Sequence, residues 1–126
     1  PLAKYDRIPV KALNGIDFII PSSEQSHTLH HTILNFAKEH GIEFNIVQTA
    51  DNILFNINSI GMGLGCTILP AYITPLSMDH SVVRPLNVEL PQIDLYVSHR
   101  KDNTSNAVKR FMELLTRVFY LDFDRK

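Results

Sequence analysis

The stretch Asn45-Ile-Val-Gln-Thr-Ala-Asp-Asn-Ile-Leu-Phe-Asn-Ile-Asn-Ser-Ile-Gly-Met-Gly-Leu-Gly-Cys-Thr-Ile-Leu-Pro-Ala-Tyr72 decides the fold of this chain. It reads as a strand, a short helix, a glycine-rich return and a second strand. Ile46 and Val47 open an extended apolar run. Ile53, Leu54, Ile57 and Ile60 recur at helical spacing as a predicted core face, and Gly61, Gly63 and Gly65 end that helix. Cys66-Thr-Ile-Leu69 is a second short apolar run, stopped by Pro70. The order of these pieces matters. A dinucleotide fingerprint runs from a strand through glycines into a helix whose N-terminus faces the pyrophosphate. Here the glycines follow a helix and precede a strand, so they terminate and pack rather than cradle phosphate.

Outward from this stretch, strands and helices alternate, which predicts α/β layering with helices flanking a sheet. Phe18 to Ile20 reads as a buried strand ended by Pro21. A helix is predicted from Thr28 to His40 with Leu29, Ile33, Phe36 and Ala37 on one face, Ser26 or His27 as its cap and Gly41 as its stop. Glu43 to Gln48 is the next strand, and Asp51 is the expected cap of the helix that follows. Beyond an irregular stretch holding Pro75, Val82-Val83 reads as a strand and Asn87 to Gln92 as a loop. Ile93, Leu95 and Val97 alternate with Asp94 and Tyr96, the period of a half-buried strand. Val108, Phe111, Met112, Leu115, Val118 and Phe119 form the apolar stripe of a last helix. Residues 1 to about 88 can close a compact sheet, whereas the segment from about 92 onward adds one strand and one helix, which need another sheet to cover them.

The bulk numbers bound the function. A chain of 126 residues, 44% hydrophobic and 20% charged, is one ordinary globular domain. A net charge of -1 gives no basic field for nucleic acid. No apolar run approaches the ~18 residues of a membrane helix, and no signal peptide is visible, so no membrane partner is expected. The single cysteine, Cys66, rules out an internal disulfide and fits a cytoplasmic setting. The opening at Pro1, without an initiator methionine, reads as a fragment or processed product.

The segment Ser59-Ile-Gly-Met-Gly-Leu-Gly-Cys-Thr-Ile-Leu-Pro-Ala71 resembles the "VaaGlGvailP" segment of LysR-type transcriptional regulators. Pro1-Leu2-Ala3 resembles the end of that family's "HPLA" signature, and Asp17 to Ser23 its "dfI" strand with the ligand-facing loop. Val82 to Leu86 and Ile93 to Val97 are similar to its "vvrpl" and "l.lv.r" strands. The resemblance runs end to end. It implies an α/β, periplasmic-binding-protein-like effector domain built from two subdomains. Residues 1–90 would be the second subdomain, and residues 91–126 the strand and helix that return to the first. It also implies a small organic effector such as a carboxylate or aromatic acid, and self-association as a dimer or tetramer. DNA would be contacted only through an N-terminal helix-turn-helix domain absent from this sequence.

The best binding candidate is Ser22-Ser-Glu-Gln-Ser-His-Thr28, between the C-terminal end of a strand and the start of a helix. Open α/β sheets place ligands there, and free N–H groups at a helix start suit a small anion. Position alone leaves a second reading open, in which Ser22 or Ser26 merely caps the helix. Carried over from the family, the loop nominates Ser23, Ser26, His27 and Thr28 as effector contacts. Thr49 and Asn52, at the next strand-to-helix turn, either add polar groups to the same rim or simply accompany a helix start capped by Asp51.

His27 and His31 are four apart and share a helix face, a spacing that can chelate zinc. The intervening Thr-Leu-His gives no His-Glu-x-x-His motif, so neither a metal site nor a cofactor is expected. Cys66 lies in an apolar run without a neighbouring base, and Ser22-Ser23 lack a nucleophile elbow, so no catalytic residue is nominated. The aromatic tail Arg117 to Asp124 reads as a packing or subunit contact. Two alternatives come from other classes: a fragment of a periplasmic solute-binding protein, with the same architecture, and a small α/β enzyme. The latter has no base, nucleophile and orienter together.

Overall fold

The structure is a computed structural model that describes residues 2–76 and 80–119. The chain forms two units, Pro1–Ile93 and Asp94–Lys126. In the first, β1 (Asp17–Pro21) and β2 (Asn45–Ala50) pair in parallel through the crossover helix α1 (His27–Glu39). The register matches Phe18 with Ile46 and Pro21 with Ala50, and a bulge at Phe18/Ile19 accommodates Val47. Helix α2 (Ile53–Gly61) then returns the chain to the other edge of β1, where Cys66 makes a single parallel bridge to Phe18. Here β1 lies between two neighbours, and every residue after Asp17 is buried.

Alternation along β1 assigns its faces. Phe18 and Ile20 pack with Ile33 and Leu29 of α1, and the Phe18 ring stacks on Phe44 with centroids 4.0 Å apart. Ile19 points to the opposite face. Its partner Gln48 donates from Nε2 to Ser59 Oγ on α2 at 2.9 Å, so α2 covers that side. A second apolar cluster joins Val10, Leu13, Phe36, Ala37, Ile42 and Leu86. There the opening segment clasps the end of the unit. Ile8 N–H donates to Pro85 O and Asn87 N–H to Ile8 O, at 2.8 and 3.0 Å.

Helix ends follow residue chemistry closely. Gly41, at φ +61°, lets Gly41 N–H reach Lys38 O and Ile42 N–H reach Ala37 O, the paired bonds that terminate α1. Gly63 repeats the device for α2 at φ +80°, with Gly63 N–H on Ile60 O and Leu64 N–H on Ser59 O. The glycines therefore divide their work. Gly61 is still helical, Gly63 turns the chain, and Gly65 lets it approach β1.

Several elements differ from the sequence expectation. Strand β2 begins at Asn45 rather than Glu43, because Phe44 turns inward onto Phe18, and it continues to Ala50. Thr49 therefore lies inside the strand instead of in the turn after it. Ile46 and Val47 are half exposed, and β2 pairs with β1 alone among the described strands. The cap of α2 is Asn52, not Asp51. Its side chain accepts from Phe55 N–H at 2.8 Å. The buried face of α2 holds Asn56, Ile57 and Ser59, while Leu54 is 55% exposed. Cys66 to Leu69 yields one bridge rather than a strand. Val82 and Val83 are exposed and unpaired, and it is Leu86 that bridges to Ile8.

Ile93 to Val97, where the first unit gives way to the second, is expected from its sequence to be a strand. The described residues offer it no partner, and Leu95, Tyr96 and Val97 are exposed. Helix α3 (Asn106–Phe119) forms as the apolar period predicts, started by Ser105 Oγ accepting from Val108 N–H at 3.3 Å. No residue of α3 is buried, and Phe111, Val118 and Phe119 are exposed on its apolar stripe. An exposed Arg100–Asp102 ion pair at 2.6 Å closes the turn ahead of it. The expected contact of the tail Arg117 to Asp124 lies, from residue 120 onward, outside the described residues.

Candidate functional site

The carboxyl ends of β1 and β2 stop side by side, and both strands hand over to helices there. Pro21 and Ala50 are the last paired residues, held by Ser22 N–H on Ala50 O at 2.8 Å. Pro21 suits the last position of a strand because it has no N–H to donate onward. The chain then makes a compact loop into α1. Buried Ser22 accepts from Glu24 N–H through Oγ at 3.2 Å, and Ser26 N–H donates to Ser22 O at 2.9 Å. The Ser22 hydroxyl is thus spent on shaping the loop.

Ser26 occupies the N-cap position of α1, yet its side chain makes no capping bond. The capping reading of Ser26 therefore fails, and the first turn of α1 keeps N–H groups without a side-chain cap. By contrast α2 is capped by Asn52. Both helix starts carry the positive end of a helix dipole at the same end of the sheet.

Between them lies a small cavity of about 20 Å³, lined by Pro21, Ser26, Leu29, Ala50, Asn52, Ile53, Asn56 and Leu69. Its walls are mainly apolar, with Ser26, Asn52 and Asn56 supplying polar groups. Asn56 is 1% exposed, and among the described residues its Oδ1 has no hydrogen-bond partner, while Nδ2 reaches Thr67 Oγ1 at 3.5 Å. Such an arrangement can hold and orient a small polar group.

Of the nominated residues, Ser26 lines this cavity. Ser23, His27 and Thr28 are exposed on the loop and first turn of α1, and Thr49 is exposed on β2. His27 and His31 share a helix face with ring centroids 4.3 Å apart, and His30 Nδ1–H donates to Pro21 O at 2.7 Å. Among the described residues no group of three His, Cys, Asp or Glu side chains is placed to hold a metal ion. Asn56 was missed by sequence reasoning. The signal was present, because it stands three residues after Ile53 and four before Ile60, on the buried stripe of α2.

Cys66 sits where its thiol holds its proton. Burial, with a smaller contribution from the Asp17 charge, pushes its thiol from the ordinary 9.0 up to about 11. Among the described residues, no helix is long and apolar enough to cross a membrane.

Residues 1–119 match the LysR substrate binding domain. The chain is 30% identical over 115 residues to the Hca operon transcriptional activator HcaR of Escherichia coli (strain K12), covering 91% of this chain and 39% of that protein. It is 25% identical over 114 residues to the HTH-type transcriptional regulator AlsR of Bacillus subtilis (strain 168), covering 90% of this chain and 38% of that protein. The chain thus spans under two fifths of the length of these relatives. With α/β layering around a small parallel sheet, it belongs to the LysR substrate-binding-domain family, the effector-binding part of LysR-type transcriptional regulators.

Proposed function

We propose that this chain is the C-terminal part of an effector-binding domain that senses a small organic acid and passes its binding state to a DNA-bound oligomer. Residues 1–90 form the second subdomain in this reading, and residues 91–126 return to the first. The exposure of Phe111, Val118 and Phe119 on α3 and of Leu95 to Val97 supports that division, since among the described residues nothing covers them.

The observation that carries the reading is the uncapped start of α1 beside a small cavity at the carboxyl ends of two parallel strands. Uncapped N–H groups at a positive helix end bind a carboxylate, and Ser23, Ser26, His27, Thr28 and Thr49 supply hydroxyl and imidazole partners around it. The site here is half of a cleft whose other wall belongs to the first subdomain. An effector that prefers one arrangement of the two subdomains shifts the population toward it. DNA contact lies in a separate helix-turn-helix domain of the cytoplasmic regulator, and self-association as a dimer or tetramer couples the subunits.

Thermal-shift measurement on the full-length regulator, against small carboxylates and aromatic acids, tests this. Stabilisation should grow with the logarithm of ligand concentration, by about 2.7 kcal/mol at a hundredfold excess over Kd. A folded regulator that no such compound stabilises contradicts the proposal.

A further inference from the structure

Asn56 presents a problem that its surroundings do not solve. An amide oxygen buried without a partner costs about 1–3 kcal/mol, and Asn56 is 1% exposed with Oδ1 unpaired. An aliphatic side chain at this position would avoid the cost and would match Ile53, Ile57 and Ile60 on the same helix. Asn56 is one of the residues that line a cavity of about 20 Å³. About 10–15 Å³ of such space holds one water-sized group, so the cavity takes a single oxygen and little more.

We propose that this cavity is an inner subsite for one O–H group, which donates its proton to Asn56 Oδ1. The inference rests on the effector-site reading and adds the chemistry that the innermost part of that site selects. A hydroxyl has both capacities needed there. It can donate to Asn56 and accept from Ser26, whose hydroxyl is not used in capping α1, or from Nδ2 of Asn52, whose Oδ1 serves Phe55 N–H. A carboxylate oxygen at the same point would set acceptor against acceptor. A methyl group would leave Oδ1 unpaired. The effector's anionic group therefore stays outside, at the exposed start of α1, and the inner position takes either a hydroxyl of the effector or an ordered water standing in its place.

The test uses the full-length regulator and its Asn56→Leu variant. A crystal structure of the wild-type protein, at a resolution that shows waters, should contain an oxygen within hydrogen-bond distance of Asn56 Oδ1. The paired probes are L-malate with succinate and 3-hydroxybenzoate with benzoate, each compared by thermal shift in both proteins. If the hydroxylated member of a pair binds about tenfold more tightly and loses that advantage in Asn56→Leu, the occupant is the ligand's hydroxyl. Equal shifts within each pair, with the oxygen still present in every wild-type structure, identify it as water. A dry cavity in the wild-type structure, or an Asn56 amide turned onto a protein partner, overturns the proposal. Failure of the effector reading shows differently, as no stabilisation by any probe, and the crystallographic result stands whichever way that falls. Should Asn56→Leu not fold, the wild-type density alone decides.

Discussion

The backbone carbonyl of Asp17 occupies the space where a side chain on Gly65 would stand: a Cβ built there lies 2.6 Å from that oxygen. The close approach lets Cys66 N–H donate to Asp17 O and Ile19 N–H donate to Cys66 O, each at 2.9 Å. These bonds hold the returning chain along β1 and so bury its second edge. Gly65→Ala should push the return away from the strand and cost about 1–3 kcal/mol, as overpacking does. Thermal unfolding checks it, and an unchanged midpoint would show that the return is not held where the structure places it.

Asn52 and Asp51 compete for the cap of α2, and the Asn52 Oδ1 bond to Phe55 N–H decides between them. Asn52→Ala should destabilise the protein by about 1 kcal/mol. Asp51→Ala, at an exposed position without that bond, should stay within about 0.5 kcal/mol. Denaturant melts of the two variants separate the assignments, and a larger loss at Asp51 would reverse them.

Cys66 predicts a pH dependence with a definite sign. The folded thiol is raised to about 11, mainly by burial and secondarily by the Asp17 charge. Once the pH passes the unfolded value, the unfolded chain releases its thiol proton while the folded one keeps it. Stability contributed by the protonated thiol is therefore present below pH 9.0, falls as the pH rises toward 11, and is lost above it. Cys66→Ala should flatten this part of the profile. In the folded wild type, iodoacetamide labelling at pH 8 should be far slower than for a free thiol. Labelling at the free-thiol rate would place Cys66 at the surface.

The unused hydroxyl of Ser26 and the exposed Thr28 lie at the start of α1. Ser26→Ala and Thr28→Ala in the full-length regulator should each weaken effector binding about tenfold, the worth of one hydrogen bond to a charged group. Melting points without ligand should hold, because neither hydroxyl caps the helix. Affinity that does not move would remove this loop from the effector site.

The helices were legible in the sequence and the strands were much less so. Ile33, Phe36 and Ala37 repeat at helical spacing and are buried as a face of α1, and Gly41 ends that helix for the conformational reason that predicts it. Strand-like composition at Val82-Val83 and Ile93 to Val97 records a capacity for pairing, but a strand exists only where another lies beside it. The same limit applied to α2. Ile, Leu and Phe outnumber polar residues there, so Leu54 was placed inside and Asn56 passed over, although the spacing from Ile53 and Ile60 put Asn56 on the buried stripe. That β1 ends where α1 starts, the junction proposed as the site, followed from chain order. Its polar floor did not, because a buried asparagine runs against the pattern by which cores are read.

Hydrogen–deuterium exchange of the full-length regulator, with and without the most stabilising acid, tests the central claim most directly. The account predicts slowed exchange in peptides spanning residues 21–29 and 50–56, where the two strands give way to α1 and α2. Protection confined to residues 106–119, with those two segments unchanged, would place the effector elsewhere and contradict it.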